Sequence, residues 1–210
     1  MIPVKVLAVR YLANASKSLC AGLGVPEGYT SLGMLTTDCD DATYIALDAA
    51  TKAAEVEVVY SRSFYAGAAN ASTPNAGEVI GILAGPTTGD VRSGMEAALG
   101  ALEGLGFEET GGVPYLAKTV SSVGSFLARE AGVAPGTALA YLIAPPLEGM
   151  YAMDAALKAA DVALCKLYTP PSETNFGGGL LSGTQSACDA ACAAFASAVA
   201  EVAAAPRGTM

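Results

Sequence analysis

Asp48–Val56 reads DAATKAAEV, and Asp154–Val162 reads DAALKAADV. In both copies an aspartate precedes a lysine by four positions, a spacing that places the two side chains on one side of a helix. An apolar, strand-like segment comes before each copy, and a second one follows it. Such similarity between the two halves of a chain indicates a tandem duplication of one structural unit.

The two halves also end in the same way. In each, a short strand leads into a long helix that carries apolar side chains at helical spacing. We predict a strand at Glu78–Leu83 and a helix at Asp90–Glu103 in the first half. In the second half we predict a strand at Gly179–Gly183 and a helix at Ser186–Ala204.

A Gly-rich stretch of little periodicity, Phe107–Pro114, separates the halves. Val4–Leu12 is predicted as the strand that opens the first half, and Val120–Glu130 as the strand or strand-turn that opens the second. Each repeat is therefore predicted as β-β-α-β-β-α, which fits an α+β fold with a small, mostly antiparallel sheet and helices on one face. The predicted domains are 1–107 and 108–210.

The composition favours a chain that packs extensively. Of its 210 residues, 52% are apolar and only 15% are charged. Because so few side chains are charged, they cannot cover a fully solvated surface. Much of the chain is therefore expected to pack against its own core or against neighbouring subunits.

The charge balance excludes several classes of function. The formal net charge is -9, whereas nucleic-acid binding requires clustered Lys and Arg. The start of the chain leads directly into a strand, which argues against a secretory signal. Charged residues and a proline interrupt the Ala-rich C-terminal stretch, so no membrane span is predicted. We expect a cytosolic protein.

The chain has no histidine and five cysteines at irregular spacing. The absence of histidine excludes Ser-His-Asp and Cys-His catalysis and leaves no complete zinc site. An odd number of cysteines is a poor disulfide framework, so reduced, buried cysteines are the better interpretation. We predict no metal and no cofactor.

Several long segments resemble one known family, the ethanolamine-utilization shell proteins of bacterial microcompartments (the EutL family). The similar segments occur in order over nearly the whole chain, and they are far more specific than a short glycine pattern. They are Ser31–Tyr44, Tyr60–Ala68, Ala140–Glu148, Pro170–Phe176 and Gly183–Cys188.

This resemblance implies a structural protein and not an enzyme. Members of the family resemble two circularly permuted microcompartment domains fused in tandem. Three chains form a flat pseudohexamer, and these homotrimers pack edge to edge with other shell proteins into a shell in the cytoplasm. The resemblance further implies a gated pore for small molecules and ethanolamine as a ligand that favours the closed pore.

The resemblance also assigns candidate ligand residues: Asp40, Asp41, Glu78, Phe107 and Thr174. Their chemistry suits ethanolamine, because carboxylates pair with an ammonium, an aromatic face attracts a cation, and a threonine hydroxyl can bond the alcohol. Read without the family, two aspartates after a strand more often mark a turn or a helix start.

Two loops are candidates for the pore or its gate. One contains Tyr65 and Asn70, and the other contains Asn175 and Phe176 followed by three glycines, Gly177, Gly178 and Gly179. Consecutive glycines permit large backbone changes, which a gating loop requires. The alternative is an ordinary surface loop.

Three other functions stay open at this point. The chain differs from familiar family members in a shortened linker, Glu108–Lys118, and in Ser121–Phe126, where an expected arginine is missing. A shell protein of another substrate's compartment is therefore one alternative. A soluble regulatory protein that binds small amines and a carboxylate-dependent lyase or isomerase are the others.

Overall fold

The computed structural model describes residues 1–64, 78–170 and 175–207. It divides into two compact units. The first unit comprises Pro3–Leu105 and Gly124–Leu127, and the second comprises Met1–Ile2, Gly106–Val123 and Ala128–Met210. Both units contain strands and helices, and the predicted α+β class is confirmed.

Seven of the described elements lie in the first unit. Four strands form one sheet in the order β2-β3-β5-β4, with antiparallel pairing between neighbours. The elements are β2 (Val6–Leu12), α1 (Lys17–Leu23), β3 (Ser31–Thr37), α2 (Asp40–Ala53), β4 (Glu57–Ser63), β5 (Val79–Gly85) and α3 (Thr88–Leu102).

The second unit repeats this order of elements and adds two strands at one side. Its six-stranded sheet has the order β1-β6-β7-β8-β10-β9. The elements are β1 (Ile2–Pro3), β6 (Gly106–Thr110), β7 (Val113–Val120), α4 (Ser125–Ala131), β8 (Ala138–Ala144), α5 (Pro146–Ala159), β9 (Val162–Tyr168), β10 (Gly177–Gly183) and α6 (Gln185–Ala204). The first residues of α4, up to Leu127, group with the first unit.

The sheet of the first unit is covered on both faces. A Cβ at Gly33 would touch Val91 and Met95 of α3, which shows that this face receives the long helices. On the opposite face, Leu32, Ile82 and Ala84 pack against Leu23 at the end of α1 and against residues of the following loop. The expectation of helices on one face only is therefore wrong for this unit, because the short helix α1 was not predicted.

The segment Val120–Glu130 corrects a second expectation. It was predicted as a strand or strand-turn, but β7 ends at Val120 and α4 begins at Ser125. Phe126, Leu127 and Ala128 are all buried. Three adjacent apolar residues suit a buried strand as well as a short buried helix, so periodicity alone could not separate the two.

The proposed linker Glu108–Lys118 is a hairpin. Glu108, Glu109 and Thr110 pair with Tyr115, Pro114 and Val113 in antiparallel register. Gly111 and Gly112 form the turn with φ of 56° and 80°. Two positive φ values are what a two-residue hairpin turn requires, and glycine adopts them without steric cost.

The C-terminal helix α6 anchors the core of the second unit. Phe195 and Val199 are fully buried and pack with Leu142 and Leu181 of the sheet. No membrane span was predicted, but α6 is long and apolar enough to cross a membrane, with 20 residues and a mean hydropathy of 1.5. Core helices of globular proteins can be equally long and apolar.

Candidate ligand site at the start of helix α2

The candidate site begins at the turn between β3 and α2. The Thr37 hydroxyl accepts a 3.1 Å hydrogen bond from the N–H of Cys39 and lies 2.7 Å from the Thr43 hydroxyl one turn into α2. The Asp38 carboxylate accepts a 2.7 Å hydrogen bond from the N–H of Lys5 on the neighbouring chain segment. These bonds fix the chain direction immediately before the two candidate aspartates.

Asp40 and Asp41 occupy the first turn of α2, and both are buried. The Ser63 hydroxyl at the end of β4 donates a 2.6 Å hydrogen bond to Oδ2 of Asp40, and the N–H of Asp41 donates a 2.8 Å bond to Oδ1. Carboxylates in the first turn also interact favourably with the positive end of the helix dipole. Asp40 is therefore held in one orientation.

The simpler interpretation of these aspartates as helix caps is not what the geometry shows. The residue at the N-cap position is Cys39, whose side chain makes no capping hydrogen bond. Asp40 and Asp41 lie one and two positions beyond it, inside the helix. The favourable interaction with the helix dipole explains why aspartates occur in the first turn of α2. It does not explain why both of them are buried.

Glu78 comes to the same edge of the sheet by backbone pairing. Its N–H donates to the carbonyl of Thr37 at 2.8 Å, and its carbonyl accepts from the N–H of Phe64 at 2.9 Å. Glu78 thus bridges the ends of β3 and β4, the strands that lead to the turn and to Ser63. Three candidate ligand residues, Asp40, Asp41 and Glu78, are brought together within the first unit.

Burial and neighbouring acidic groups both affect the electrostatics of this edge. Although Glu78 is exposed at the surface, partial desolvation raises the pKa of its carboxyl, and the charges of Asp40 and Asp38 raise it further. Burial also raises the pKa of the Cys39 thiol well above its ordinary value, with contributions from Asp41, Asp40 and Glu78. A thiol in this setting stays protonated and is a poor nucleophile.

Phe107 is the other predicted ligand residue that the structure describes. Phe107 belongs to the second unit, on β6, where its ring lies 5.6 Å from the ring of Phe176 at 47°. Aromatic pairs favour such tilted geometry. Thr174 lies outside the described residues, as do the pore candidates Tyr65 and Asn70.

The glycine run of the second pore candidate is not a loop. Gly177, Gly178 and Gly179 are the first residues of β10, are buried, and pair with Ala144, Ile143 and Leu142 of β8. Asn175 is exposed and Phe176 is half-buried just before the strand. The three glycines therefore have a packing role here, and the role of this segment in a pore stays a prediction.

A second acidic centre in the first unit was not predicted from the sequence. Asp48 in the middle of α2 has no solvent exposure, and its carboxylate accepts hydrogen bonds from the N–H groups of Gly124 and Leu127, at 2.7 and 2.9 Å. The Thr51 hydroxyl accepts a 3.1 Å bond from the N–H of Ser125. The repeated Asp-Lys spacing was the available signal, but it indicated only a salt bridge within the helix.

No group of three or more cysteine and acidic side chains within the described ranges is arranged to hold a metal ion. The candidate ligand side chains at α2 are the buried Asp40 and Asp41 and the exposed Glu78, all carboxylates. Such a cluster attracts a compact cation that can donate several hydrogen bonds.

Comparison with known proteins identifies the family. The BMC domain family matches residues 31–110. The chain is 57% identical over 212 aligned residues to the bacterial microcompartment shell protein EutL of Clostridium perfringens, covering 99% of this chain and 98% of that protein. It is 47% identical to the protein of the same name from Escherichia coli, covering 97% of this chain and 94% of the relative.

Solved structures agree with this sequence similarity. The ethanolamine utilization protein EutL of Leptotrichia buccalis superposes with a TM-score of 0.95 at 54% identity, covering 99% of this chain and 98% of that one. The trimeric shell protein PduB superposes with a TM-score of 0.79 at 19% identity, covering 95% of this chain and 89% of that one, which supports the fold alone. The chain belongs to the EutL family of bacterial microcompartment shell proteins.

Proposed function

We propose that this shell protein assembles as a homotrimer of two-domain chains, with domains 1–107 and 108–210, and that the trimers pack edge to edge with other shell proteins in the cytoplasm. The duplicated order of elements supports this reading, because six similar units can form a pseudohexamer from three chains. The low charge fraction agrees with extensive subunit contact. The role is structural and not catalytic.

We further propose that the shell protein has a gated pore and that ethanolamine is its ligand. The main support for ethanolamine as the ligand is the grouping of Asp40, Asp41 and Glu78 at one edge of the first unit. Ethanolamine is an ammonium and a hydroxyl on a two-carbon stem. A small ammonium can contact several carboxylate oxygens at once and so relieve the repulsion between the carboxylates. A larger cation would contact fewer of these oxygens.

The proposed roles differ between the residues. Asp41 and Glu78 pair with the ammonium, and Asp40, held by Ser63, sets the position of the negative charge. Phe107 adds a cation–π interaction of roughly 0.5–2 kcal/mol, and Thr174 bonds the alcohol. Tyr65, Asn70, Asn175, Phe176 and the Gly177–Gly179 segment remain the proposed pore residues.

Calorimetric titration with ethanolamine tests the ligand proposal. The double variant Asp41→Asn with Glu78→Gln removes two negative charges from the site while keeping the side-chain shapes, so binding should be lost and assembly kept. A matched control, Glu27→Gln with Glu96→Gln, removes two charges from exposed positions of the same unit and should bind as the native chain does. Unchanged affinity in the double variant would rule out the site.

Light scattering and electron microscopy test the assembly proposal. Trimers that tile into flat sheets would support it, and a chain that stays monomeric or dimeric at high concentration would contradict it. A screen of small amines by the same titration then separates an ethanolamine compartment from one for another substrate, since a stronger response to a different amine would assign the shell elsewhere.

A further inference from the structure

Three side chains beside the proposed ligand site form a hydrogen-bond network. The Tyr44 hydroxyl lies 2.5 Å from the Ser63 hydroxyl, and the Ser63 hydroxyl donates to Oδ2 of Asp40 at 2.6 Å. Because a serine hydroxyl has a single proton to donate, Ser63 cannot also donate to Tyr44. Tyr44 is therefore the donor to Ser63, and every hydrogen bond of the network points towards Asp40.

Both oxygens of the Asp40 carboxyl group are held. While Oδ2 accepts from Ser63, Oδ1 accepts a 2.8 Å bond from the N–H of Asp41. Asp40 is only 7% exposed. A carboxyl group that is bonded at both oxygens cannot rotate without losing one of these bonds. The direction of its remaining lone pairs is therefore set by Ser63, and the orientation of Ser63 is set by Tyr44.

The position of Tyr44 is itself fixed by an aromatic contact. Its half-buried ring lies 6.1 Å from the ring of Phe126 at 51°, a tilted geometry that aromatic pairs favour. Phe126 is 6% exposed and lies between Gly124 and Leu127, whose N–H groups both bond to Asp48. The residue at the start of the network is thus held by a segment that is anchored on the same helix, α2.

The second unit provides an internal comparison for this network. The repeated segments begin at Asp48 and Asp154, so residues 106 positions apart are equivalent from α2 to the end of β4. Strand pairing agrees with this equivalence. Arg62 pairs with the second residue of β5, and Tyr168, 106 positions later, pairs with the second residue of β10.

The second unit cannot form the same network. The residue equivalent to Tyr44 is Met150, whose side chain has no proton to donate. The residue equivalent to Asp40 is Pro146, whose side chain has no acceptor. The second unit nevertheless has the same order of elements. The network is therefore not required to build this fold.

The ligand carboxylates differ between the units in the same way. Asp41 is equivalent to Leu147, and Glu78, just before β5, corresponds to Phe176, just before β10. One unit has both the carboxylates and the hydrogen-bond network, and the other unit has neither. This joint occurrence favours a role of the network in ligand binding over a role in folding.

We propose that Tyr44 is a positioning residue of the ligand site. Its hydroxyl orients Ser63, and Ser63 orients the Asp40 carboxylate towards the ammonium of ethanolamine. Tyr44 acts only through Ser63 and does not touch the ligand. This inference rests on the proposed function and adds to it a residue outside the five candidate ligand residues.

A double-mutant cycle followed by calorimetric titration with ethanolamine tests this role. Tyr44→Phe keeps the ring against Phe126 and removes only the hydroxyl. In the native chain this change should weaken binding roughly threefold, because Ser63 is then free to turn away from Asp40. In a chain that already carries Ser63→Ala, the same change should leave the affinity unchanged, since its route to Asp40 is gone.

Tyr11→Phe is the matched control. It removes a tyrosine hydroxyl from an exposed residue of β2, the strand at the opposite edge of the sheet from β4. The affinity of this variant should equal that of the native chain. Urea unfolding checks that every variant of the cycle is folded at the temperature of the titration.

Each other outcome of the cycle has a definite meaning. An equal loss of affinity in both backgrounds would show that Tyr44 acts on the ligand directly and would overturn the positioning role. An unchanged affinity of Tyr44→Phe in the native background would limit Tyr44 to packing. In both cases the native chain still binds ethanolamine and the ligand proposal stands. If the native chain does not bind ethanolamine, the proposed function fails and this inference fails with it.

Discussion

The Asp48 carboxylate accepts a 2.7 Å hydrogen bond from the N–H of Gly124, 76 positions later in the chain. The same carboxylate accepts a second bond from Leu127 and is fully buried. One side chain of α2 thereby fixes the start of α4. The first unit is therefore completed by a segment that lies far along the sequence.

Asp48→Ala should lower the free energy of unfolding by about 2–4 kcal/mol, since it leaves two buried backbone N–H groups without an acceptor. Urea unfolding, with the chain at fixed concentration, measures the change. Asp189→Ala on the exposed side of α6 is the control and should stay within about 0.5 kcal/mol of the native chain. Equal effects at the two positions would contradict the role assigned to Asp48.

Gly178→Ala should destabilise the second unit by about 3 kcal/mol or more. The added Cβ would collide with the carbonyl of Leu142 on the paired strand β8, and the φ of 153° is one that L side chains rarely adopt. Gly100→Ala, on the exposed side of α3 with no neighbour near its Cβ, should instead stabilise by about 0.5–1 kcal/mol. Thermal unfolding measures both. Tolerance of alanine at Gly178 would restore the flexible-loop interpretation.

The stability that Glu78 contributes should decline as the pH rises. Desolvation and the charges of Asp40 and Asp38 raise the pKa of Glu78 above its ordinary value of 4.5, so the folded chain holds this proton more tightly than the unfolded chain. The stability that this group contributes is therefore present at low pH and declines as the pH rises from 4.5 through the raised value.

An ammonium favours the ionised form of Glu78, so ethanolamine affinity should rise over the same range, with a proton released on binding. Calorimetry at several pH values, in buffers of different ionisation enthalpy, measures both effects. The Glu78→Gln variant should lose this part of the pH dependence. An affinity that falls with pH in this range would place the ammonium away from Glu78.

Ser63→Ala should weaken ethanolamine binding without abolishing it. The variant removes the 2.6 Å hydrogen bond that orients Asp40, so the carboxylate must be ordered by the ligand instead. The same change should cost about 1–2 kcal/mol of stability. Ser18→Ala, at an exposed position of α1, is the control for both measurements. Loss of stability with unchanged affinity would limit Ser63 to a structural role.

The sequence predicted best those elements whose pattern is local. The repeated segments at Asp48 and Asp154 predicted α2 and α5, and the strand Val162–Tyr168 follows the second of them as expected. Apolar spacing located the long helices α3 and α6 to within two residues at each end. These elements depend mainly on residues three and four positions apart, which a single sequence displays directly.

The missed elements depend on partners that are distant in sequence or on turn chemistry. Helix α1 has seven residues, about two turns, which is too short to display a helical period in the sequence. The Gly111-Gly112 turn was taken for a linker, although two glycines between strand-forming residues also favour a hairpin. The glycines at the start of β10 were taken for flexibility, because the strand that approaches them, β8, is far away in sequence.

The residues of the candidate site also differ in whether the sequence alone could indicate them. The resemblance selected Asp40, Asp41 and Glu78, and the structure explains their proximity through the pairing of β3, β4 and β5. Ser63 could not have been selected from the sequence, since its bond to Asp40 requires the register of β4 against β5. The role of Asp48 could not be predicted without knowing that Gly124–Leu127 lies against α2.

The different surroundings of Asp48 and Asp154 bear on how freely each position can change over evolution. Asp48 is fully buried and accepts two backbone hydrogen bonds, so few other side chains would satisfy its surroundings. Asp154 is largely exposed and pairs with the exposed Lys158, so most substitutions there should have little effect on stability. Two equivalent positions of a duplicated segment are thus expected to diverge at different rates.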